Sequence, residues 1–417
     1  MENIKKPKFH YGYVIVACCC LIMGIDVGLV MSCAGIFYKP VSEELNVAVG
    51  EFGLYMSFNF LTSALMLSIA GKMLEKWSAR KILALSSGVL GLCFFAMGFF
   101  NSVWQFYLIG CIMGVTQSFL LYLSFPTMIN RWFKSGVGFF IGICSAASGI
   151  GGMLFNPIGA LWITDLGWRA TYWIFGGIVF FIVSPLIWLL LRDYPHQKGL
   201  LPFGSDEKVT TAKEAEEGVE YSRAIKMPVF YALVVFAFIM MAVSTLNLFI
   251  PNYMTDLSFS LEQGALVAAA VMAGVTVGKV VLGIINDRNN LLGVMVTVVG
   301  GVLGLAIFVW AHFNVYAVII AGFLFGWEYA GVTVQTAMLV RAVFGNVNYA
   351  RIFSNISMAL AAGGAIMSGG WGILADATSF SFIFILGAGA LSLCGFIGIY
   401  ALRKRYNRNT SVAALDS

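Results

Sequence analysis

One lysine, Lys279, stands inside the apolar run VMAGVTVGKVVLGIINDRNN that covers Val271 to Asn290. Crossing a bilayer takes roughly 20 residues at helical rise, so the run is long enough to carry the ammonium into hydrocarbon. A cation there costs at least about 2.5 kcal/mol and is usually kept because a ligand or a pathway uses it. The chemistry open to it is electrostatic. A compact charge with three donors holds a carboxylate, although it orients it less than arginine's two-pronged fork would. The small residues of GVTVGK suit a lined cavity better than a lipid face. The plain alternative is a long stem snorkelling to the membrane edge, since Asp287 lies only eight residues on.

Two carboxylates fall deep in other apolar runs, Asp26 and Glu328. A proton is the simplest way to remove a carboxylate's charge away from water, so either could couple movement of an anion to protons. Either could instead neutralise Lys279 when the site is empty, and the residues alone do not rank these roles. Tyr122, Trp327 and Tyr329 add aromatic candidates for a cavity lining, and Gln117, Asn247 and Asn355 add polar ones. For each of them singly, packing or interfacial anchoring is an equal reading.

The elements that must position these groups follow from composition. Of 417 residues, 60% are hydrophobic and 11% charged, and mean hydropathy is +0.88, which leaves too little polar surface to clothe a soluble globule. The expected fold is an all-α integral membrane protein. Apolar runs lie at about 11–37, 52–71, 82–100, 105–129, 136–163 and 170–191, and again at about 228–254, 263–285, 291–312, 316–340, 352–374 and 379–402. Six plus six gives twelve transmembrane helices. The expected units are a six-helix half over 1–191, a linker over 192–226, a second half over 227–402 and a tail over 403–417. The linker segment SDEKVTTAKEAEEGVE is too polar to bury a core and is expected to be flexible. The first run is too long for a signal peptide's apolar region.

Charge sets the expected orientation. Of 25 Lys and Arg, only Lys39 and Arg169 fall on the side opposite the termini, and Lys279 lies within a span. The positive-inside rule then puts both termini in the cytoplasm, with the chain in the plasma (inner) membrane. The net charge of +5 lies in short loops and does not make a nucleic-acid surface. The eight cysteines fall within apolar runs with no metal-ligand spacing. No strand-to-helix phosphate loop or nucleophile elbow occurs, so neither an enzyme nor a metal or cofactor is expected, and ATP is not implied.

The halves echo each other. After the second run the chain reads GKMLEKWSARK from Gly71, and after the eighth GIINDRNN from Gly283. Gly71 and Glu75 match Gly283 and Asp287, with the bases Lys76 and Arg288 following, and Arg80 and Lys81 lie beyond the first copy. An acid and a base at a helix end can form a latch that holds two halves closed in one state. FNPIGALWITD, ending at Asp165, also echoes MSGGWGILAD, ending at Asp376. On these residues the chain resembles the major facilitator superfamily, whose GxLaDRxGRR signature lies between the second and third helices. Here Glu75, Lys76 and Ser78 depart from it.

Asn130, Arg131, Trp132 and Phe133, together with Asn348 and Tyr349 ahead of the eleventh run, resemble the monocarboxylate-transporter and oxalate–formate-antiporter branch. The resemblance implies that Lys279 stands where relatives carry a carboxylate-binding arginine, and that Tyr122 faces the cavity. It also implies alternating access. Oxalate-type relatives pair that cation with a second one in the eleventh helix, where this chain has Ser354 and Asn355, with Arg351 only at the helix start. A monocarboxylate therefore fits better than a small dianion. The expected function is secondary active transport of a small organic anion by symport with protons or by exchange, in a monomer within the lipid bilayer. The rivals are a larger amphipathic organic anion, a drug or metabolite exporter of the same fold, a membrane sensor and a channel.

Overall fold

In a computed structural model the described residues are 10–205, 218–310, 313–345 and 349–404, without the side chains at 68, 72, 75, 137, 138, 349, 350 and 354. Asn348 and the side chains of Glu75, Tyr349 and Ser354 thus lie outside the described residues. Twelve long helices run through the described residues. The first six are α1 (Gly12–Ser32, carried on by a short helix, Gly35–Leu45), α2 (Val49–Lys76), α3 (Ala79–Met97), α4 (Val103–Trp132), α5 (Val137–Leu166) and α6 (Trp168–Leu190). The second six are α7 (Pro228–Asp256), α8 (Leu261–Arg288), α9 (Asn290–Trp310), α10 (Val315–Phe344), α11 (Tyr349–Ala377) and α12 (Phe380–Arg403). All but α2 are apolar and long enough throughout to cross a membrane, and α2 has the length at 28 residues.

Local sequence starts these helices where side chains can satisfy free backbone N–H groups. Ser260 and Gln263 form a reciprocal capping box at the start of α8, and Asn314 and Ser379 cap α10 and α12. Within each half, glycine lets backbones touch. A Cβ at Gly151 of α5 would sit 1.7 Å from the Gly24 carbonyl oxygen of α1, and one at Gly326 of α10 would sit 2.2 Å from the Val271 oxygen of α8.

One expectation about connections changes, and residues 206–217, most of the segment expected to be flexible, lie outside the described residues. The signature stretches are helix ends rather than loops: α2 continues through Gly71 to Lys76, and α8 through Gly283, Asp287 and Arg288. A helical glycine costs only about 1 kcal/mol, so neither glycine breaks its helix. The turn comes at Asn289, whose side chain accepts from the N–H groups of Leu291 and Leu292. The linker is fastened at both ends. Phe203 N–H donates to the Trp132 carbonyl at 2.8 Å on the first half, and Val219 N–H donates to the Phe344 carbonyl at 2.8 Å on the second.

The halves meet along two antiparallel seams. In the seam of α2 with α11, Gly50 N–H donates to Asp376 Oδ2 at 2.9 Å, Ser57 and Ser368 hydroxyls meet at 3.0 Å, and Gly364 lies against Phe60. In the seam of α5 with α8, Thr164 bonds Glu262, Gly152 packs on Met272 and Gly149 on Thr276, and Ser145 meets Lys279. The ion pair Lys39–Asp256 at 2.7 Å ties α1's extension to α7 at the end remote from the termini. Past Ser145 and Lys279 the same helix faces present Gly142 and Gly283, and a Cβ at either would meet nothing within 4 Å. Gly71, on the matching face of α2, is equally clear. Both seams are therefore shut at the end remote from the termini and part towards the end that carries them.

This closure is checked by cross-linking. Ser57→Cys combined with Ser368→Cys should join under mild oxidation and shift on a non-reducing gel only after oxidation. Failure to join would contradict the packing of α2 on α11.

Candidate functional site

Lys279 lies on α8 at the point where its seam with α5 stops being closed. Its half-buried ammonium donates to Ser145 of α5 twice, to the carbonyl oxygen at 3.1 Å and to the hydroxyl at 3.2 Å. Among the described residues it meets no carboxylate. A cation in a water-poor interior with two neutral acceptors and no counter-charge is incompletely compensated, and one of its three donors has no protein partner among the described residues. The geometry thus sets an anion-attracting group between the halves.

The two buried carboxylates do not supply the missing charge. Asp26 is fully buried in α1, where the π-helical segment Ile22–Ser32 interrupts the regular helix. Gly24 and Gly28 of that segment face α5, whereas Asp26 faces α3, with the Ser87 hydroxyl beside it but outside hydrogen-bond geometry. Neither of its oxygens has a hydrogen-bond partner among the described residues. Glu328 is fully buried on α10 and its stem lies against Gly301 of α9, near Cys394 of α12. Its oxygens are likewise unpartnered. Each carboxylate sits inside its own half, turned away from Lys279, and the alternative of direct neutralisation finds no contact.

A small cavity lies at the centre, lined by Met31, Met56, Phe60, Met241, Asn247 and Tyr329 among others. Asn247 is brought there by a tightened turn, Thr245–Phe249, within α7, and its Oδ1 has no partner. Tyr329 lies near Tyr122, which sits on a second π-helical segment, Ser118–Leu123 of α4. Gln117, just before that segment, is fully buried with neither amide atom bonded, and Asn59 of α2 is the same. The irregular turns of α1, α4 and α7 thus carry Asp26, Tyr122 and Asn247.

Other candidates lie elsewhere. Trp327 lines a groove of about 390 Å³ between α9 and α10, with Met295, Val299 and Leu303, on the outer side of the bundle. Asn355 bonds the Tyr221 hydroxyl at 3.2 Å and the Arg351 carbonyl at 2.9 Å, where Arg351 lies over the Tyr221 ring at the end of α11 nearest the linker. Arg80 works within one half: its backbone N–H donates to Asp193 at 2.7 Å and its side chain to the Trp188 carbonyl at 2.5 Å. Asp287 and Arg288 are exposed at the end of α8. Sequence reasoning missed Ser145, which in GICSAASGIGG carries no signal beyond a small residue suited to packing.

Removal of an uncompensated buried charge should stabilise the empty protein. Lys279→Met is expected to raise the unfolding temperature in detergent, reflecting on the order of 1 kcal/mol. A lowered unfolding temperature would mark Lys279 as a structural group.

Comparison with known proteins agrees with this architecture. The solved structure of a bacterial homologue of the human lysosomal transporter Spinster, in an inward-facing and occupied conformation, superposes with a TM-score of 0.75 at 13% identity, covering 96% of this chain and 100% of that one. Among curated relatives, the uncharacterised transporter YhjX of Escherichia coli is 24% identical over 79% of this chain and 80% of its own length. YcxA of Bacillus subtilis is 24% identical over 38% of this chain, and the match spans 40% of YcxA. Monocarboxylate transporter 4 of Mus musculus is 25% identical over 42% of this chain, and the match spans 37% of that protein. Relatives named for gallate transport and for multidrug resistance match at comparable identity. The model of the Major Facilitator Superfamily matches residues 20–337, and with twelve helices in two six-helix halves the chain belongs to that superfamily of membrane transporters.

Proposed function

We propose that this transporter carries an organic anion, a monocarboxylate foremost, by alternating access, with Lys279 as the group that binds it. The observation that carries this reading is the ammonium of Lys279, held across the halves by neutral Ser145 with no carboxylate on it. An arriving carboxylate supplies the missing charge in a site where water competes weakly, so the contact is strong. One cation balances one carboxylate, and α11 adds no second cation at this depth: Arg351 is engaged with Tyr221 at the helix end.

The central cavity has room for only about 10 Å³ in this state and would have to widen to take a ligand, but the character of its lining suits a carboxylate with an apolar body. Met31, Met56, Met241 and Phe60 offer adaptable, polarizable surface, while Asn247 and Tyr329 offer polar contacts. With the termini cytoplasmic, as the basic loops imply, the parted seam faces the cytoplasm of an inner membrane, and the Lys39–Asp256 and Asp376–Gly50 contacts close the outside. In the opposite state Glu75, Asp287 and Arg288 would meet the facing half and serve as the latch.

Protons are proposed to couple through Asp26 and Glu328. Each is buried without a partner, a costly arrangement for an anion and a tolerable one for a neutral acid. The alternative is exchange, which needs only the one cation.

Uptake of radiolabelled monocarboxylates and dicarboxylates into proteoliposomes, with and without a pH gradient, tests the reading. Lys279→Gln should reduce monocarboxylate uptake about tenfold or more, the size of a lost hydrogen bond to a charged group. Transport at the wild-type rate would remove Lys279 from the site. Asp26→Asn or Glu328→Gln should lose stimulation by an inward proton gradient while anion exchange persists; pH dependence unchanged in both would leave coupling to other groups.

A further inference from the structure

Among the described residues, the Lys279 ammonium is hydrogen-bonded from the opposite half by Ser145 alone, and that residue has unused capacity. Ser145 accepts at its carbonyl oxygen, at 3.1 Å from Nζ, and at its hydroxyl oxygen, at 3.2 Å. The carbonyl also accepts from the Ser148 hydroxyl at 2.9 Å, so the backbone group is fully used. The Ser145 hydroxyl has spent only a lone pair, and its own hydrogen has no acceptor among the described residues. One O–H donor therefore stands beside one N–H donor, on opposite sides of the seam and at the edge of its open part, since a Cβ at Gly142 or Gly283, one turn further on, would meet nothing within 4 Å.

We propose that Ser145 is the second ligand of the transported carboxylate. In the loaded state one carboxylate oxygen accepts from Lys279 Nζ and the other from Ser145 Oγ, and the direct lysine–serine contact is given up. Two donors at this spacing serve a planar head with two oxygens better than a spherical anion, so Ser145 supplies the orientation that lysine alone lacks. Because α5 and α8 belong to different halves, the same head group joins them, and the anion replaces the contact that holds the pivot of the seam in the empty carrier. The inference rests on the reading of Lys279 as the anion site.

The test measures thermal stabilisation of the purified carrier by sodium benzoate and sodium chloride, and the KM and kcat of radiolabelled benzoate uptake, in wild type, Ser145→Ala, Ser145→Thr and Lys279→Gln. Ser145→Ala should raise the benzoate KM about tenfold with little change in kcat, and should cut the preference for benzoate over chloride. Ser145→Thr, which keeps the hydroxyl, should restore both. A wild-type KM in Ser145→Ala beside a defective Lys279→Gln would overturn the role of Ser145 alone. Equal losses in the alanine and threonine variants would make it a packing residue and overturn the proposal likewise. Full activity in Lys279→Gln, or a wild type that no benzoate stabilises, would overturn the anion site itself and the proposal with it.

Discussion

Everything in the middle of this protein is arranged about one uncompensated charge. The Lys279 ammonium lies where two six-helix bundles meet, and its acceptors, a serine hydroxyl and carbonyl, offset only part of what leaving water costs. A fold that kept this lysine for stability would set a carboxylate on it. Among the described residues two carboxylates lie fully buried within the spans, and the structure turns both away, Asp26 towards α3 and Glu328 towards α9 and α12. The result is a centre with spare positive charge and two acids held apart from it, an arrangement that fits the proposed carriage of anions with protons.

Glycine and small polar residues convert that charge into a moving part. At Gly50 and Gly149 the halves approach to backbone distance, and at Gly142, Gly283 and Gly71 the same helix faces stand clear. Lys279 and Ser145 mark the boundary between the two regimes on α5 and α8. Contacts on the shut side combine polar ties, including Lys39–Asp256, Thr164–Glu262 and Asp376 on the N-terminus of α2, with apolar packing such as Tyr38 on Phe249 and Gly364 on Phe60. The Arg80 contacts with Asp193 and Trp188 instead stay within one half and stiffen it as a unit.

Much of this was legible in the residues because hydrocarbon imposes strict rules. Runs of apolar residues had to be helices, their count gave the twelve spans, and a lysine among them announced itself by its cost. Helix ends were less legible: nothing in Gly71 to Lys76 or Gly283 to Arg288 breaks a helix, so stretches read as loops became last turns. The facing of individual side chains was least legible. Asn247, Tyr122 and Tyr329 reach the centre through irregular turns or proximity, whereas Trp327 turns outward and Asn355 is taken by Tyr221. Periodicity gives no warning of a π-helical segment, and a lone serine in a glycine-rich helix looks like packing, which is why Ser145 went unnoticed.

The central claim is that a carboxylate sits on Lys279 between the halves. An experimental structure of the carrier saturated with its best-binding carboxylate tests it most directly. The account predicts density for the carboxylate head within hydrogen-bond distance of Lys279 Nζ, with the apolar body towards the methionine-lined cavity. A ligand seated elsewhere, with Lys279 still bonded to Ser145 and nothing on its free donor, would contradict it.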